Sequence, residues 1–175
     1  MKTNIALIGF MGVGKTQVGK ALATKLDKEF VELDSLIEHK AGKSIPEIFE
    51  QNGEVAFREL EIDVTKEVAK DRNLVIACGG GIVLNKINID RLKKEGIIIY
   101  LIASPRAILK RTASDENERP LLEVDNPTLT ISELLRFRKP FYERAADVKI
   151  NTSKLDIDSV AEQIISKLNP VNTHT

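Results

Sequence analysis

The sequence predicts an α/β protein of one domain, in which about five parallel strands are flanked by helices. Its strand-like segments are nearly continuous runs of Ile, Val and Leu, the pattern of strands that are buried on both faces. These runs alternate along the chain with longer segments in which apolar residues recur at helical spacing. A length of 175 residues is ordinary for one domain of this class.

Taken in order, the pattern predicts five strands and seven helices. The strands are 5–9, 30–33, 74–78, 97–102 and 148–150. The helices are 15–26, 35–41, 54–71, 86–95, 105–113, 132–146 and 157–168. Residues 114–128 are polar and contain two prolines, so we expect a mobile lid over about 113–128. The domain is expected to span 1–170, with a flexible tail over 171–175.

Composition and charge exclude several classes of protein. Lys plus Arg equals Asp plus Glu at 26 each, so the chain as a whole has no attraction for nucleic acid or an acidic membrane. Cys78, the single cysteine, rules out an intramolecular disulfide and is expected to be a small core residue. There is no apolar run of membrane-spanning length and no leader with a cleavage site. We therefore expect a cytoplasmic protein that binds neither nucleic acid nor membrane. We also expect a monomer, although composition does not decide the oligomeric state.

The first predicted strand runs into GFMGVGKT at 9–16, which matches the phosphate-binding loop G-x-x-x-x-G-K-[S/T]. Glycines let such a loop wrap its N–H groups around a phosphate, and the following helix adds partial positive charge. Lys15 can reach the β- and γ-phosphates, and the Thr16 hydroxyl can ligate Mg²⁺. The motif predicts that a nucleoside triphosphate such as ATP is bound by Gly12, Val13, Gly14, Lys15, Thr16 and Gln17.

Two other motifs narrow the class of phosphate-binding protein. The guanine-reading N-K-x-D of GTPases is absent, because 85–88 reads NKIN and follows the wrong strand. The strand at 74–78 ends in three glycines, Gly79 to Gly81, rather than in the acidic residue of motor and transport ATPases. Three glycines at the carboxyl end of a central strand predict close approach of a ligand to the backbone.

Charged residues complete the pattern of a small-molecule kinase. Glu32 and Asp34 end the second predicted strand, where alternation would place both carboxylates on one face. Arginines suit both a transferred phosphoryl group and an anionic acceptor, and the candidates are Arg58, Arg111, Arg119, Arg136 and Arg138.

The ordered set of motifs resembles the shikimate kinases, a family similar in fold to nucleoside monophosphate kinases. The resemblance covers residues 3 to about 168 and rests on GFMGVGKT, LD at 33–34, FR at 57–58, GGG at 79–81, RP at 119–120 and LLRFRKPFYERAAD at 134–147. It implies Mg²⁺-dependent transfer of the ATP γ-phosphate to the 3-hydroxyl of shikimate, a step toward chorismate and the aromatic amino acids.

The resemblance also implies roles for residues around the acceptor. Asp34 would bind the shikimate hydroxyls and act as the base, and Arg58 and Arg138 would bind the carboxylate. Phe49 and Phe57 would line the apolar side of the pocket. The backbone of three glycines would close it: Gly79, Gly80 and Gly81.

On the nucleotide side, the resemblance makes Lys15 and Arg119 catalytic, with Arg119 as the lid arginine on the phosphates. Arg111 would stack near adenine, and residues 151–154 would border the base. Glu32 stands where the family usually has Asp, so it would join Thr16 in the Mg²⁺ shell with one extra methylene.

Two alternatives stay open at this point. One is another small-acceptor kinase, such as a gluconate or nucleotide kinase, which would also use arginines for an anionic acceptor. The other is a regulatory or binding protein that holds ATP without transferring phosphate. The presence of Lys15, Thr16, Asp34 and Arg119 argues against the second.

Overall fold

The computed structural model describes residues 2–113, 125–154 and 156–171. Within these ranges five strands form one parallel sheet in the order β2-β3-β1-β4-β5. The strands are β1 Asn4–Ile8, β2 Glu29–Glu32, β3 Leu74–Ala77, β4 Gly96–Ile102 and β5 Val148–Asn151. The helices are α1 Lys15–Leu26, α2 Leu33–Ala41, α3 Ile45–Val68, α4 Lys86–Glu95, α5 Pro105–Ala113, α6 Pro127–Ala145 and α7 Ile157–Val171. The predicted fold class is confirmed.

The sheet has an apolar cluster on each face, because successive residues of a strand point to opposite sides. On one face Leu7 of β1 packs in a cluster with residues of α1, α5 and α7. On the other, Ile8 packs in a cluster with residues of α2, α3 and α4. β1 is buried at every position and lies between β3 and β4, so the loops that leave β1 and β3 meet at one edge of the sheet. Cys78, the residue after β3, is fully within this core, as predicted.

The junction of β2 and α2 differs from the prediction. β2 ends at Glu32 and α2 begins at Leu33, so Asp34 lies in the first turn of a helix. The prediction that strand alternation brings Glu32 and Asp34 to one face was therefore wrong. A carboxylate in the first turn of a helix is favoured by the helix dipole, which gives the chain a physical reason to turn here.

Two helices begin earlier than predicted because capping residues start them. α3 begins at Ile45 instead of 54, since Ser44 and Glu47 form a capping box, and Gly53 at φ 80° kinks the helix. α6 begins at Pro127 instead of 132, because the Asn126 side chain accepts a hydrogen bond from the Leu129 N–H at 3.1 Å.

The start of α6 and the end of α7 change the bounds of the predicted lid and tail. Residues 127–128 of the predicted lid belong to α6, and α7 runs to Val171, the first residue of the predicted tail. Residues 114–124 and 172–175 lie outside the described residues, so the rest of the lid and tail stay predictions. Among the helices of the described ranges, none is both long enough and apolar enough to cross a bilayer.

Candidate active site

The phosphate-binding loop leaves β1 and enters α1 through backbone that only glycine adopts readily. Gly14 caps α1 at φ 98°, in the left-handed region. Gly9 has φ 149°, and a Cβ there would lie 2.5 Å from the carbonyl oxygen of Leu101. The loop is also tied by Lys15, whose Nζ donates to the carbonyls of Gly9 at 2.6 Å and Phe10 at 2.8 Å. The predicted loop is thus formed, with its lysine extended back across it.

Thr16 and Glu32 come together beside this loop. The Thr16 hydroxyl donates to Oε1 of Glu32 at 2.5 Å, and the Ser35 hydroxyl donates to Oε2 at 3.3 Å. A hydroxyl and a carboxylate are the hard oxygen ligands that Mg²⁺ prefers, usually one or two from protein with the rest from phosphate and water. Within the described ranges no group of three or more His, Cys, Asp or Glu could hold a metal by itself. The pair therefore fits a cation that is shared with a phosphate.

Asp34 is a largely buried carboxylate at the start of α2. Its Oδ1 is buried without a hydrogen-bond partner and lies 2.9 Å from where a Cβ of Gly79 would be. Burial raises the pKa of Asp34, and the nearby charge of Lys15 opposes that rise. An unpartnered carboxylate oxygen beside a triple-glycine backbone can accept a proton from a hydroxyl bound there.

Arg58 of α3 lies against the same glycines. A Cβ on Gly81 would be 2.5 Å from both terminal nitrogens of Arg58, so only glycine allows this approach. Nη1 of Arg58 donates to Oε1 of Glu61 at 3.0 Å, and Nη2 donates to Glu54 at 3.4 Å. Glu61 is 1% exposed, and burial raises its pKa against the opposing charge of Arg58. Glu61 orients the guanidinium, and the sequence analysis missed it although Arg58 and Glu61 are three residues apart on a helix.

Arg138 of α6 approaches the middle glycine. Its Nη1 lies 3.5 Å from the Cβ position of Gly80, and its guanidinium carbon lies 5.7 Å from the ring centre of Phe10. The same position on Gly80 is 3.7 Å from the carbonyl oxygen of Gly9 and from the N–H nitrogen of Met11. The triple glycine thus lies close to both the phosphate-binding loop and the two arginines. Beside them, the rings of Phe49 and Phe57 pack 4.8 Å apart as an apolar wall.

Arg111 contacts both the phosphate-binding loop and the loop at 151–154. Its Nη1 donates to the carbonyl of Gly12 at 3.3 Å, and its Nη2 donates to the carbonyl of Thr152 at 2.6 Å. Thr152 is buried, and its hydroxyl donates to the carbonyl of Val13 at 3.0 Å. Arg111 and Thr152 therefore tie the loop at 151–154 to the phosphate-binding loop. Thr152 was not singled out from the sequence, and stacking of Arg111 on adenine stays a prediction.

The structure brings most predicted site residues to one edge of the sheet, where β1, β2 and β3 end. The acceptor-side candidates Asp34, Arg58 and Arg138 each contact one of the three glycines there. Gln17 is exposed in the first turn of α1. Arg119 lies outside the described residues, so its role stays a prediction.

A family model for shikimate kinase matches residues 11–169, nearly the whole described chain. The chain belongs to the shikimate kinase family. A shikimate kinase of Caldanaerobacter subterraneus subsp. tengcongensis is 50% identical over 93% of this chain and 94% of its own length. A shikimate kinase of Thermodesulfovibrio yellowstonii is 48% identical over 94% of each chain. The resemblance that the motifs indicated is thus confirmed.

Among solved structures, a shikimate kinase from Acinetobacter baumannii in complex with shikimate superposes with a TM-score of 0.91. It is 40% identical, and the alignment covers 100% of this chain and 97% of that one. Such agreement extends to the sheet order and helix placement of a whole shikimate kinase domain.

Proposed function

We propose that this member of the shikimate kinase family transfers the γ-phosphate of ATP to the 3-hydroxyl of shikimate, with Asp34 as the base. Kinase activity on shikimate follows from the family to which the chain belongs. The observation that carries the residue assignment is the position of Asp34. Its unpartnered oxygen lies beside Gly79. Its carboxylate interacts electrostatically with both Lys15 of the phosphate-binding loop and Arg58 of the acceptor side.

The acceptor is proposed to bind between Arg58 and Arg138. A planar carboxylate is held best by guanidinium groups, each of which can donate two parallel hydrogen bonds. The two arginines lie against Gly81 and Gly80, two neighbouring residues that have no side chains to obstruct a ligand there. A ring held there by its carboxylate would present a hydroxyl toward Asp34.

In the transfer step, the oxygen of the 3-hydroxyl attacks the γ-phosphorus, and Asp34 accepts the proton of that hydroxyl. The new O–P bond forms, the bond from that phosphorus to the β–γ bridging oxygen breaks, and ADP leaves with the electron pair. Lys15 is proposed to stabilise the charge on the transferred group, as such lysines do. The proposal for Arg119 on the same phosphates rests on the sequence alone.

Magnesium is proposed to be held by Thr16 directly and by Glu32, directly or through water. When bound, the ion would neutralise charge on the β- and γ-phosphates. The 2.5 Å contact of the two side chains supports this assignment, because it gathers two oxygen ligands beside the phosphate-binding loop. Glu32 is longer than aspartate by one methylene, and α2 starts directly after it.

Three further properties belong to the same proposal. We propose a cytoplasmic enzyme that acts as a monomer and binds no nucleic acid. The balanced charge of the chain supports the last of these. Size-exclusion chromatography with light scattering tests the monomer, and a mass near twice 19.5 kDa would contradict it.

The acceptor assignment is tested by coupled ADP release with shikimate, quinate, gluconate and nucleoside monophosphates in parallel. We expect the highest kcat/KM with shikimate. A higher value with gluconate or a nucleoside monophosphate would assign this chain to another acceptor. ATP hydrolysis or binding with no transfer to any acceptor would leave a nucleotide-binding protein.

A further inference from the structure

The middle carbonyl of the triple glycine is held by a side chain from a distant part of the chain. After β3, the carbonyls of Gly79 and Gly81 accept hydrogen bonds from the backbone N–H groups of Ile82 and Leu84, each at 3.1 Å. The carbonyl of Gly80, between them, accepts a hydrogen bond from the phenol of Tyr142 at 2.5 Å. The peptide that joins Gly80 to Gly81 is the central peptide of the turn from Gly79 to Ile82, and its carbonyl is held by α6.

Tyr142 is well placed to hold that peptide. Its side chain is fully buried, and its ring stacks on Tyr100 of β4 with centroids 4.9 Å apart and planes at 20°. Burial raises the pKa of Tyr142 to about 12, against the opposing effect of Arg138, so the phenol keeps its proton at physiological pH. The stack and the retained proton together make the hydroxyl a fixed donor.

The orientation matters because a trans peptide is planar. When the carbonyl of Gly80 points to Tyr142, the N–H of Gly81 points the opposite way. Gly81 is the residue against the guanidinium of Arg58, and Gly80 is the residue beside Arg138. Arg138 also lies one helical turn before Tyr142 on α6, so one helix face reaches both the peptide and one of its flanking guanidinium groups.

We infer that Tyr142 is a positioning residue of the acceptor site, which orients the Gly80–Gly81 peptide between Arg58 and Arg138. The inference rests on the proposed function in one respect, that the acceptor bound there is shikimate. Tyr142 itself touches neither substrate. It acts through the Gly80–Gly81 backbone and through Arg138, whose side chain also hydrogen-bonds the phenol, so its loss affects acceptor binding far more than nucleotide binding.

The test is Tyr142→Phe in the full chain, which keeps the ring and removes one oxygen. We expect the KM for shikimate to rise on the order of five- to a hundredfold, the cost of leaving a buried carbonyl unpaired. The KM for ATP should stay within about twofold, a split that a general loss of stability would not produce. Tyr100→Phe is the matched control, because it removes the hydroxyl of the other stacked ring, which is not the donor to Gly80.

A second measurement does not depend on the substrate. In the ligand-free enzyme, the ¹H–¹⁵N resonance of the Gly81 amide should move in Tyr142→Phe and stay in place in Tyr100→Phe. If the wild type turns over shikimate and Tyr142→Phe keeps its KM, the inference is overturned. If the wild type does not phosphorylate shikimate, the proposed function fails instead, and an unmoved Gly81 amide would then overturn the positioning role.

Discussion

The chemistry of single residues in this site is set by burial as much as by charged partners. Asp34 and Glu61 both have raised pKa values, and for both the largest cause is removal from water. Their cationic neighbours, Lys15 and Arg58, reduce that effect without cancelling it. The site therefore contains carboxylates that hold protons more readily than exposed ones, which suits an acid–base step near neutral pH.

Asp34→Asn should lower kcat by roughly 10²–10⁴ and change the KM for shikimate much less, because the amide keeps the size but cannot accept the proton. The acid limb of the wild-type profile of kcat/KM against pH tests the same role of Asp34. The ionised carboxylate is the active form, so activity falls as pH drops through its pKa. Because burial raises that pKa, the fall should begin at higher pH than for an exposed aspartate. Measured kcat/KM against pH checks this, and an acid limb at the position of an ordinary aspartate would contradict it.

Arg58→Lys should raise the KM for shikimate strongly, on the order of tenfold or more, and leave the KM for ATP nearly unchanged. Lysine keeps the charge near Glu61 but has no planar pair of donors for a carboxylate. Steady-state kinetics with each substrate varied in turn separates the two constants. If ATP binding weakens instead while shikimate binding is unaffected, Arg58 belongs to the nucleotide side.

Sequence motifs identified the candidate site residues that stand in a contiguous pattern. Other residues of the site could be recognised only from the packing of the helices. Lys15, Thr16 and the three glycines stand in a contiguous pattern with a mechanical meaning, so they could be placed without a structure. Glu61 and Tyr142 became visible only when α3 and α6 packed against the glycines. The spacing of Arg58 and Glu61 could have suggested a pair, but neither it nor a lone tyrosine says which side chain will be buried. Glu32 and Asp34 were named from the sequence, but the strand alternation expected to bring them to one face is absent, because Asp34 lies in α2.

Among the elements, the loop at 151–154 shows how the nucleotide side is assembled. Its Thr152 hydroxyl donates to Val13 in the phosphate-binding loop, and Arg111 from α5 contacts both segments. Three separate elements are thus joined by hydrogen bonds to backbone carbonyls, and the phosphate-binding loop is held by the other two.

Thr152→Val should raise the KM for ATP by about five- to tenfold and leave the KM for shikimate within twofold. Valine has the same shape but leaves the buried carbonyl of Val13 without its hydroxyl donor. Thr152→Ser is the control, because it retains the hydroxyl and should bind ATP nearly as the wild type does. Equal behaviour of the valine and serine variants would show that the hydroxyl does not hold the loop. Kinetics with ATP varied, together with a melting curve of each variant, makes the comparison.

Among the elements, the strands and the helices α1, α4 and α5 were predicted better than the starts of α3 and α6. Continuous apolar runs located every strand within one or two residues, and α1, α4 and α5 have the predicted bounds. The missed first half of α3 carried a legible signal, since Ser44 and Glu47 have capping-box spacing. The transition at Glu32 carried one signal, the acidic Asp34 in what becomes the first turn of α2.

At the scale of the whole molecule, the order of the strands in the sheet decides where the site forms. β1 is central, with β3 on one side of it and β4 on the other, so the loops after β1 and β3 are adjacent. One loop supplies the phosphate-binding backbone and the other the triple glycine, and the two touch at Gly80. A parallel α/β sheet brings donor and acceptor sites together in this way without any long insertion.

Because Cys78 is buried at the end of β3, the rate at which its thiol is labelled measures how often this part of the core opens. It is the single thiol of the sequence, it lies in the core, and burial raises its pKa, so the reactive thiolate is scarce in the native state. A thiol-reactive dye should therefore label the native protein at least about a thousandfold more slowly than the denatured chain, since labelling must wait for an opening event. Saturating nucleotide should slow it further by stabilising the closed form. Labelling followed by mass spectrometry would measure both, and native labelling at the denatured rate would mean that the end of β3 opens freely.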